Sequence, residues 1–160
     1  MSEANKAIIR RLFDECLNRH NPDLYPEFFS DVLYRASAMG ELRSDEHRHF
    51  LLSLFAGSPD AQWTIEDQIA EEDRVVTRWA FTGTHTGTFM GIDATGRQLH
   101  CTGICIDRLA DGKIVEEWEE WDTLGMMQQL ALLPPETSIG KPFSSDATTI
   151  ATEWDCSARI

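Results

Sequence analysis

Basic residues are scarce in this chain. Only 14 of its 160 residues are Lys or Arg, against 27 Asp or Glu, giving a formal net charge of -13. A surface this acidic repels phosphate, which argues against nucleic acid and anionic membranes as partners. Long apolar runs are lacking too: none approaches the ~20 residues that span a bilayer. Met1-Ser2-Glu3-Ala4-Asn5-Lys6 lacks the basic-then-apolar order of a secretory signal. A cytoplasmic protein is expected. The four cysteines make no disulfide framework. Cys101 and Cys105 stand four apart in a strand-like run, so their Cα atoms lie ~13 Å apart at ~3.3 Å per residue, whereas a bridge needs under ~7 Å. No zinc-ligand spacing occurs, and His47 and His49 diverge on a helix rather than forming a metal pair. No repeat is visible.

What is present suits one soluble globular domain. Hydrophobic residues make up 42% and charged residues 26%, enough for a core but not for two in so short a chain. Ile8, Ile9, Leu12, Phe13, Cys16 and Leu17 recur at helical spacing, predicting a helix over 2–19. A short helix is expected over 22–29 and a strand over 31–38, ended by Gly40. Ser44 then caps a helix to Ala56, with Phe50, Leu51, Leu54 and Phe55 inward. From Ala61 the period changes to two. Trp63, Ile65, Asp67 and Ile69 alternate with polar residues, Glu71-Glu72-Asp73 turns, and residues 74–85 return. The acidic end of this hairpin reads as solvated rather than metal-binding. A second hairpin joins 97–109 to 113–122, and Asp122 caps a final helix over 123–133 that Pro134-Pro135 stops. The order implies an α+β fold, with helices on one face of a curved antiparallel sheet. The domain is expected to occupy 1–135. Residues 136–160, rich in Ser, Thr and Asp, form a tail or an arm.

The turn Leu109-Ala110-Asp111-Gly112-Lys113 decides which side chains share a face. Read as a three-residue loop with Gly112 in the left-handed region, it sets Cys105 opposite Glu117, Gly103 opposite Glu119 and Cys101 opposite Trp121. Val115 joins this face. Ile104, Ile106, Ile114, Glu116 and Trp118 take the other, and His100 lies on that side. A one-residue shift would exchange the two. Glu117 and Glu119 then present two carboxyls ~6.6 Å apart. They line a pocket, where one carboxyl shifts the pKa of the other, or they belong to a solvated edge strand.

The run Thr82-Gly83-Thr84-His85-Thr86-Gly87-Thr88-Phe89-Met90-Gly91-Ile92, then Thr95-Gly96-Arg97, then Asp111-Gly112-Lys113 through Trp118, then Asp122-Thr123-Leu124-Gly125-Met126-Met127-Gln128-Gln129-Leu130, resembles the SnoaL-like polyketide cyclases. The likeness covers roughly 60–133, with a weaker helical match from residue 4. It implies a cone-shaped barrel, the sheet wrapped around N-terminal helices. It also implies a cofactor-free enzyme for a small hydrophobic, oxygenated substrate. The acid/base residue of the family falls on Glu119. The His that usually stands two residues earlier is replaced by Glu117, expected to shift the Glu119 pKa or share its proton. The Gln and His of the preceding strand fall on Gly103 and Cys105. The segment near the first long strand here reads Tyr34-Arg35-Ala36-Ser37-Ala38-Met39. His85 matches a family His that either bonds substrate or pins the following loop. Trp121, Cys105, Cys101, Trp79 and Phe81 are the expected substrate contacts. The implied activity is cyclisation or isomerisation of a polyketide-like intermediate. A hydroxylase or hydratase, or a non-catalytic binder, would use the same pocket. Trp118, Ile104 and Ile106 predict a homodimer through the opposite sheet face.

Overall fold

The computed structural model describes residues 2–133. The proline stop and the 136–160 tail lie outside the described residues. Helix α1 (Ser2–Arg11) runs directly into a π-helical turn, Leu12–Leu17, so the predicted long helix is present with a wider last segment. Its apolar stripe is buried through Ile9, Leu12, Phe13 and Cys16. The Asn18 side-chain amide closes this element onto the sheet. It donates to the Trp63 carbonyl at 2.9 Å and accepts from the Trp63 N–H at 2.7 Å. A 3-10 turn (Pro22–Leu24) and helix α2 (Tyr25–Phe28) lead into strand β1 (Phe29–Ala36).

Gly40 does not simply end the strand. At φ +78° it turns the chain back, and strand β2 (Gly40–Arg43) pairs antiparallel with β1. Helix α3 (Ser44–Gly57) follows, its first turn closed by the Glu46 carboxylate accepting from the Arg43 N–H at 2.9 Å. Then come β3 (Gln62–Glu71), β4 (Arg74–Thr84), β5 (Gln98–Ala110), β6 (Lys113–Trp121) and α4 (Thr123–Gln129). Asp122 caps α4, accepting from the Gly125 N–H at 2.8 Å, but the helix ends at Gln129 rather than reaching 133. Among the described residues no helix is long and apolar enough to cross a membrane.

The strands form one sheet in the order β2-β1-β6-β5-β4-β3, which curves without closing. It is not wholly antiparallel: β1 and β6 run parallel. The N-terminal helix packs on β3 and β4, and α3 on β1, so the core fills the inner side of the curve.

Two bulges correct the predicted register. The β5–β6 turn is a two-residue loop, with Ala110 paired to Lys113 and both Asp111 (φ 50°) and Gly112 (φ 77°) left-handed. An irregularity then lies between Leu109↔Ile114 and Arg108↔Glu116, with Val115 the extra residue. Each feature shifts the pairing by one residue. Together they shift it by two, so the expected inner face survives with new partners. Asp107 opposes Glu117, Cys105 opposes Glu119, and Gly103 opposes Trp121. The exception is Ile114, expected outside. It lies before the bulge and is fully buried beside Leu109. In β3 an irregularity between Ile65 and Asp67 leaves Glu66 unpaired and reverses the inner face from Trp63 and Ile65 to Gln68 and Ala70. Ile69, expected inward, is therefore 65% exposed.

Candidate active site

Inside the curve, two adjoining lobes share Phe50, Leu54, Trp63, Trp79 and Glu119. The first, about 70 Å³, extends to His47, Cys105, Asp107 and Glu117. The second, about 60 Å³, extends to Phe81, Phe89, Cys101, Trp121 and Met126. Apolar side chains from the π-helical turn, α3 and the sheet make most of the wall. Sheet alternation brings Cys105 and Asp107 from β5 and Glu117 and Glu119 from β6 to one patch.

Glu119 stands where the lobes meet. The Tyr34 hydroxyl donates to its Oε2 at 2.6 Å. Burial is the main cause that raises its affinity for a proton, to a pKa of about 7. The Tyr34 hydrogen bond, and then the Trp79 indole, pull the other way. The two β6 carboxyls act on each other, the Glu119 charge being among the causes that push Glu117 up. Asp107 is 2% exposed and held well above the usual Asp range, first by burial, with the Glu119 charge adding and the Cys105 thiol opposing. Glu117 is pushed up by burial, then by the charges of Asp107 and Glu119. Its Oε2 is buried with no hydrogen-bond partner among the described residues. The nearest imidazole atom, His47 Nε2, is 3.8 Å away, too long for a hydrogen bond. Burial lowers the His47 pKa to about 4, so at neutral pH this is not an ion pair. The ring stacks on Tyr34 with centroids 4.7 Å apart, and its Nδ1 lies 3.0 Å from the Tyr25 hydroxyl.

Of the residues expected from sequence, Glu119, Glu117, Trp121, Cys105, Cys101, Trp79 and Phe81 line the cavity. His85 does not. It is fully buried, and its Nδ1 accepts from the Thr95 N–H at 3.3 Å and sits 3.0 Å from Thr95 Oγ1. Its backbone exchanges bonds of 2.8 Å with Arg97 and Gly96. Of the two roles left open for His85, these bonds support pinning the 85–97 loop. Cys105 is no ready nucleophile, since burial and the nearby carboxylates raise its thiol pKa; burial raises that of Cys101 to about 11. Cys105, Asp107 and Glu117 bring donor atoms within 4.8 Å of one another. Protons held by these raised groups would compete with any cation there.

Asp107, Tyr34 and His47 were missed by the sequence reading. Asp107 was legible, because it continues the alternation of Cys101, Gly103 and Cys105 onto the same face. The Tyr34 contact depends on parallel pairing of β1 with β6 across 85 residues, which no local pattern signals. From sequence, His47 reads only as half of a diverging His pair with His49.

Gly103 has a structural reason. A Cβ there would overlap the Trp79 indole, which fills the space beside Glu119. Where the resemblance expects a polar side chain on β5, an indole from β4 stands instead.

The sequence matches the family model described as SnoaL-like polyketide cyclase over residues 7–130. Comparison with curated proteins gives no match. Among solved structures, AclR of Streptomyces galilaeus, a proposed hydroxylase, is 27% identical with a TM-score of 0.76; the match covers 84% of this chain and 100% of that one. IdmH of Streptomyces antibioticus, a proposed polyketide cyclase, is 26% identical with a TM-score of 0.69, covering 79% of this chain and 98% of that one. A proposed SnoaL-like polyketide cyclase from Jannaschia sp. CCS1, at 24% identity and a TM-score of 0.75 over 83% of this chain and 95% of that one, shares the fold.

Proposed function

The chain belongs to the SnoaL-like polyketide cyclase family, and from that premise we propose a cofactor-independent cyclase or isomerase of a hydrophobic, polyketide-like intermediate. The observation that carries this reading is Glu119. It is a carboxyl at the junction of two apolar lobes, anchored through one oxygen by Tyr34 at 2.6 Å and poised by burial near neutral pH. A base so poised is matched to removing a proton beside a carbonyl. In a ring closure, Glu119 takes that proton and the carbanion forms a C–C bond to a second carbonyl carbon. The resulting alkoxide takes a proton back, so nothing is lost overall. The apolar wall excludes water from the intermediate. Trp121, whose indole N–H is buried without a partner among the described residues, is the contact that favours an oxygenated ligand in the second lobe.

The experiment offers an aromatic keto ester carrying a second carbonyl, in D₂O, with mass spectrometry of the products. Cyclised product or deuterium at the position between the carbonyls is expected with the wild type. Glu119→Gln should lower the rate by at least about 100-fold with binding nearly unchanged. Retained turnover in that variant overturns the assignment. Binding without turnover in either protein replaces the enzyme with a ligand carrier.

A hydroxylase is the second reading, favoured by the likeness to AclR. Label from ¹⁸O₂ in the product would establish it. The homodimer and the cytoplasmic setting belong to the same proposal. The supporting surface is the outer sheet face, where Ile104 is 47% exposed, Ile106 is 36% exposed, and Trp118 lies between the Arg35 and Arg74 guanidinium groups. The unpaired thiols Cys16, Cys101 and Cys105 suit a reducing compartment.

A further inference from the structure

Between the cavity and the start of α3 runs a line of polar groups that acid/base chemistry at Glu119 does not itself require. At its far end the Tyr25 hydroxyl donates to the Ser44 carbonyl at 3.2 Å. The same hydroxyl lies 3.0 Å from His47 Nδ1. At the near end, His47 Nε2 faces Glu117 Oε2 across 3.8 Å, and that oxygen is buried with no other partner among the described residues. A carbonyl only accepts, so the Tyr25 proton is committed to Ser44. Tyr25 can then only accept from His47, which puts the imidazole proton on Nδ1. Nε2 is left with a lone pair, and Glu117 Oε2 meets it favourably only if it carries a proton. Two lone pairs facing each other in this setting would repel. We propose that Ser44, Tyr25, His47 and Glu117 form a one-way relay that holds a proton on Glu117 and so leaves Glu119 as the base of the carboxyl cluster.

This inference deepens the acid/base reading and rests on it for its consequence. The proton-holding arrangement stands on the geometry alone. The last link needs about 1 Å of closure, and catalytic hydrogen bonds are often long before ligand binds. The groups acting on Glu117 come from every neighbouring element. Asp107 and Cys105 face it from β5, Glu119 from its own strand, Tyr34 from β1, Tyr25 from α2 and His47 from α3. The charges of Asp107 and Glu119 both hinder its ionisation. Asp45 and Arg48 act on Tyr25 with opposite signs. None of these offers Glu117 Oε2 a donor, so nothing rewards its ionised form. A neutral Glu117 spares Glu119 a like charge two residues away and lets it ionise within the working range.

The test is spectroscopic and needs no substrate. In ¹⁵N-labelled full-length protein at neutral pH, long-range proton–nitrogen spectra should show the His47 proton on Nδ1 and a bare Nε2. In protein with ¹³C-labelled Glu carboxyls, the Glu117 signal, identified by its loss in Glu117→Gln, should be the last of the cluster to titrate. Glu117→Gln should keep the His47 tautomer, because an amide N–H can replace the carboxyl proton as donor. Tyr25→Phe keeps the ring that stacks on Phe29 but removes the acceptor for Nδ1. The imidazole proton should then move to Nε2, where it stabilises an ionised Glu117, and Glu117 should titrate before Glu119. With a turnover assay, the limb that needs ionised Glu119 should move to higher pH in Tyr25→Phe. A purely structural role for Tyr25 moves neither the tautomer nor the order of titration. A proton on Nε2 in the wild type, or a Glu117 titration unaltered by Tyr25→Phe, overturns the relay. If Tyr25→Phe does not fold, the wild-type tautomer and titration order decide alone. The Glu119→Gln turnover test is independent of these readings, so either proposal can fail without the other.

Discussion

The carboxyl cluster should make this protein less stable as pH rises through neutrality, and Asp107→Asn should reduce the effect. Asp107 is 2% exposed, accepts a 3.5 Å contact from the Cys105 thiol, and has its pKa pushed up to about 7. An unfolded Asp titrates near ~3.9. The folded pKa lies above the unfolded one. The contribution is therefore fully present below about pH 4 and is lost as pH rises through about 7. A three-unit difference corresponds to about 4 kcal/mol at ~1.4 kcal/mol per unit, an upper limit because the carboxyls titrate together. His47 has the opposite sign. Its pKa is lowered to about 4, so its contribution is present above ~6.5 and lost as pH falls. The window from pH 6.5 to 8 thus isolates the carboxyls. Urea unfolding across it should show stability falling by about 1.4–2.7 kcal/mol per pH unit near pH 7, for one to two protons held only by the folded state. Asparagine has the same shape, stays neutral, and can still accept from Cys105. With a pKa of about 7, Asp107 holds half a proton at pH 7, so Asp107→Asn should reduce that slope by about 0.7 kcal/mol per pH unit there. It should exceed the wild type in stability at pH 8 by about 1–4 kcal/mol. A flat or rising wild-type profile, or an unchanged slope in the variant, would refute the idea that the cluster is buried without a compensating cation.

Three further outcomes follow from the same geometry. Tyr34→Phe removes the 2.6 Å hydrogen bond that favours ionised Glu119, so the Glu119 pKa should rise further. The limb of the pH–rate profile that needs its carboxylate should move up by about one unit; a limb that stays put would show that Tyr34 is only packing. Gly103→Ala would drive a Cβ into the Trp79 indole and should destabilise by about 1–3 kcal/mol, measured by urea unfolding, with Trp79 fluorescence altered; a change under 0.5 kcal/mol in both strands' stability would count against the close packing. Trp118→Glu, on the outer face beside exposed Ile104 and Ile106, should convert the proposed dimer to monomer by light scattering at micromolar concentration. A wild-type monomer under those conditions removes that part of the proposal.

The strands were legible because long antiparallel hairpins keep their period and their turns over adjacent residues. The inner face of β5–β6 was legible for a less direct reason. The turn is shorter by one residue than expected and the bulge adds one, so the two displacements sum to a full period of the strand. A single bulge does not have that property, and at Glu66 it turned Ile69 outward. No residue type announces such a bulge, because it relieves strain in a curved sheet rather than expressing a local preference. The short strand β2 was hidden for a related reason. Gly40 signals a turn equally well whether the chain then leaves the sheet or returns to it.

The carboxyl pair on β6 was readable from spacing, but what makes it chemically distinct comes from outside that hairpin. Tyr34 reaches Glu119 from β1, His47 reaches Glu117 from α3, and Trp79 comes from β4 into the space a side chain at 103 would need. The last of these links the departures from the family pattern to one another. Gly103 is not merely a missing polar group, because its lack of a Cβ admits the indole. An indole there both narrows the cavity and favours the ionised form of Glu119. The polar contacts the resemblance expected on β5 come from elsewhere, with Tyr34 bonded to Glu119, the proposed base, and His47 facing Glu117. Substituting β5 alone toward the family residues would not rebuild the expected arrangement, because Trp79 already occupies the space that the new side chain would enter.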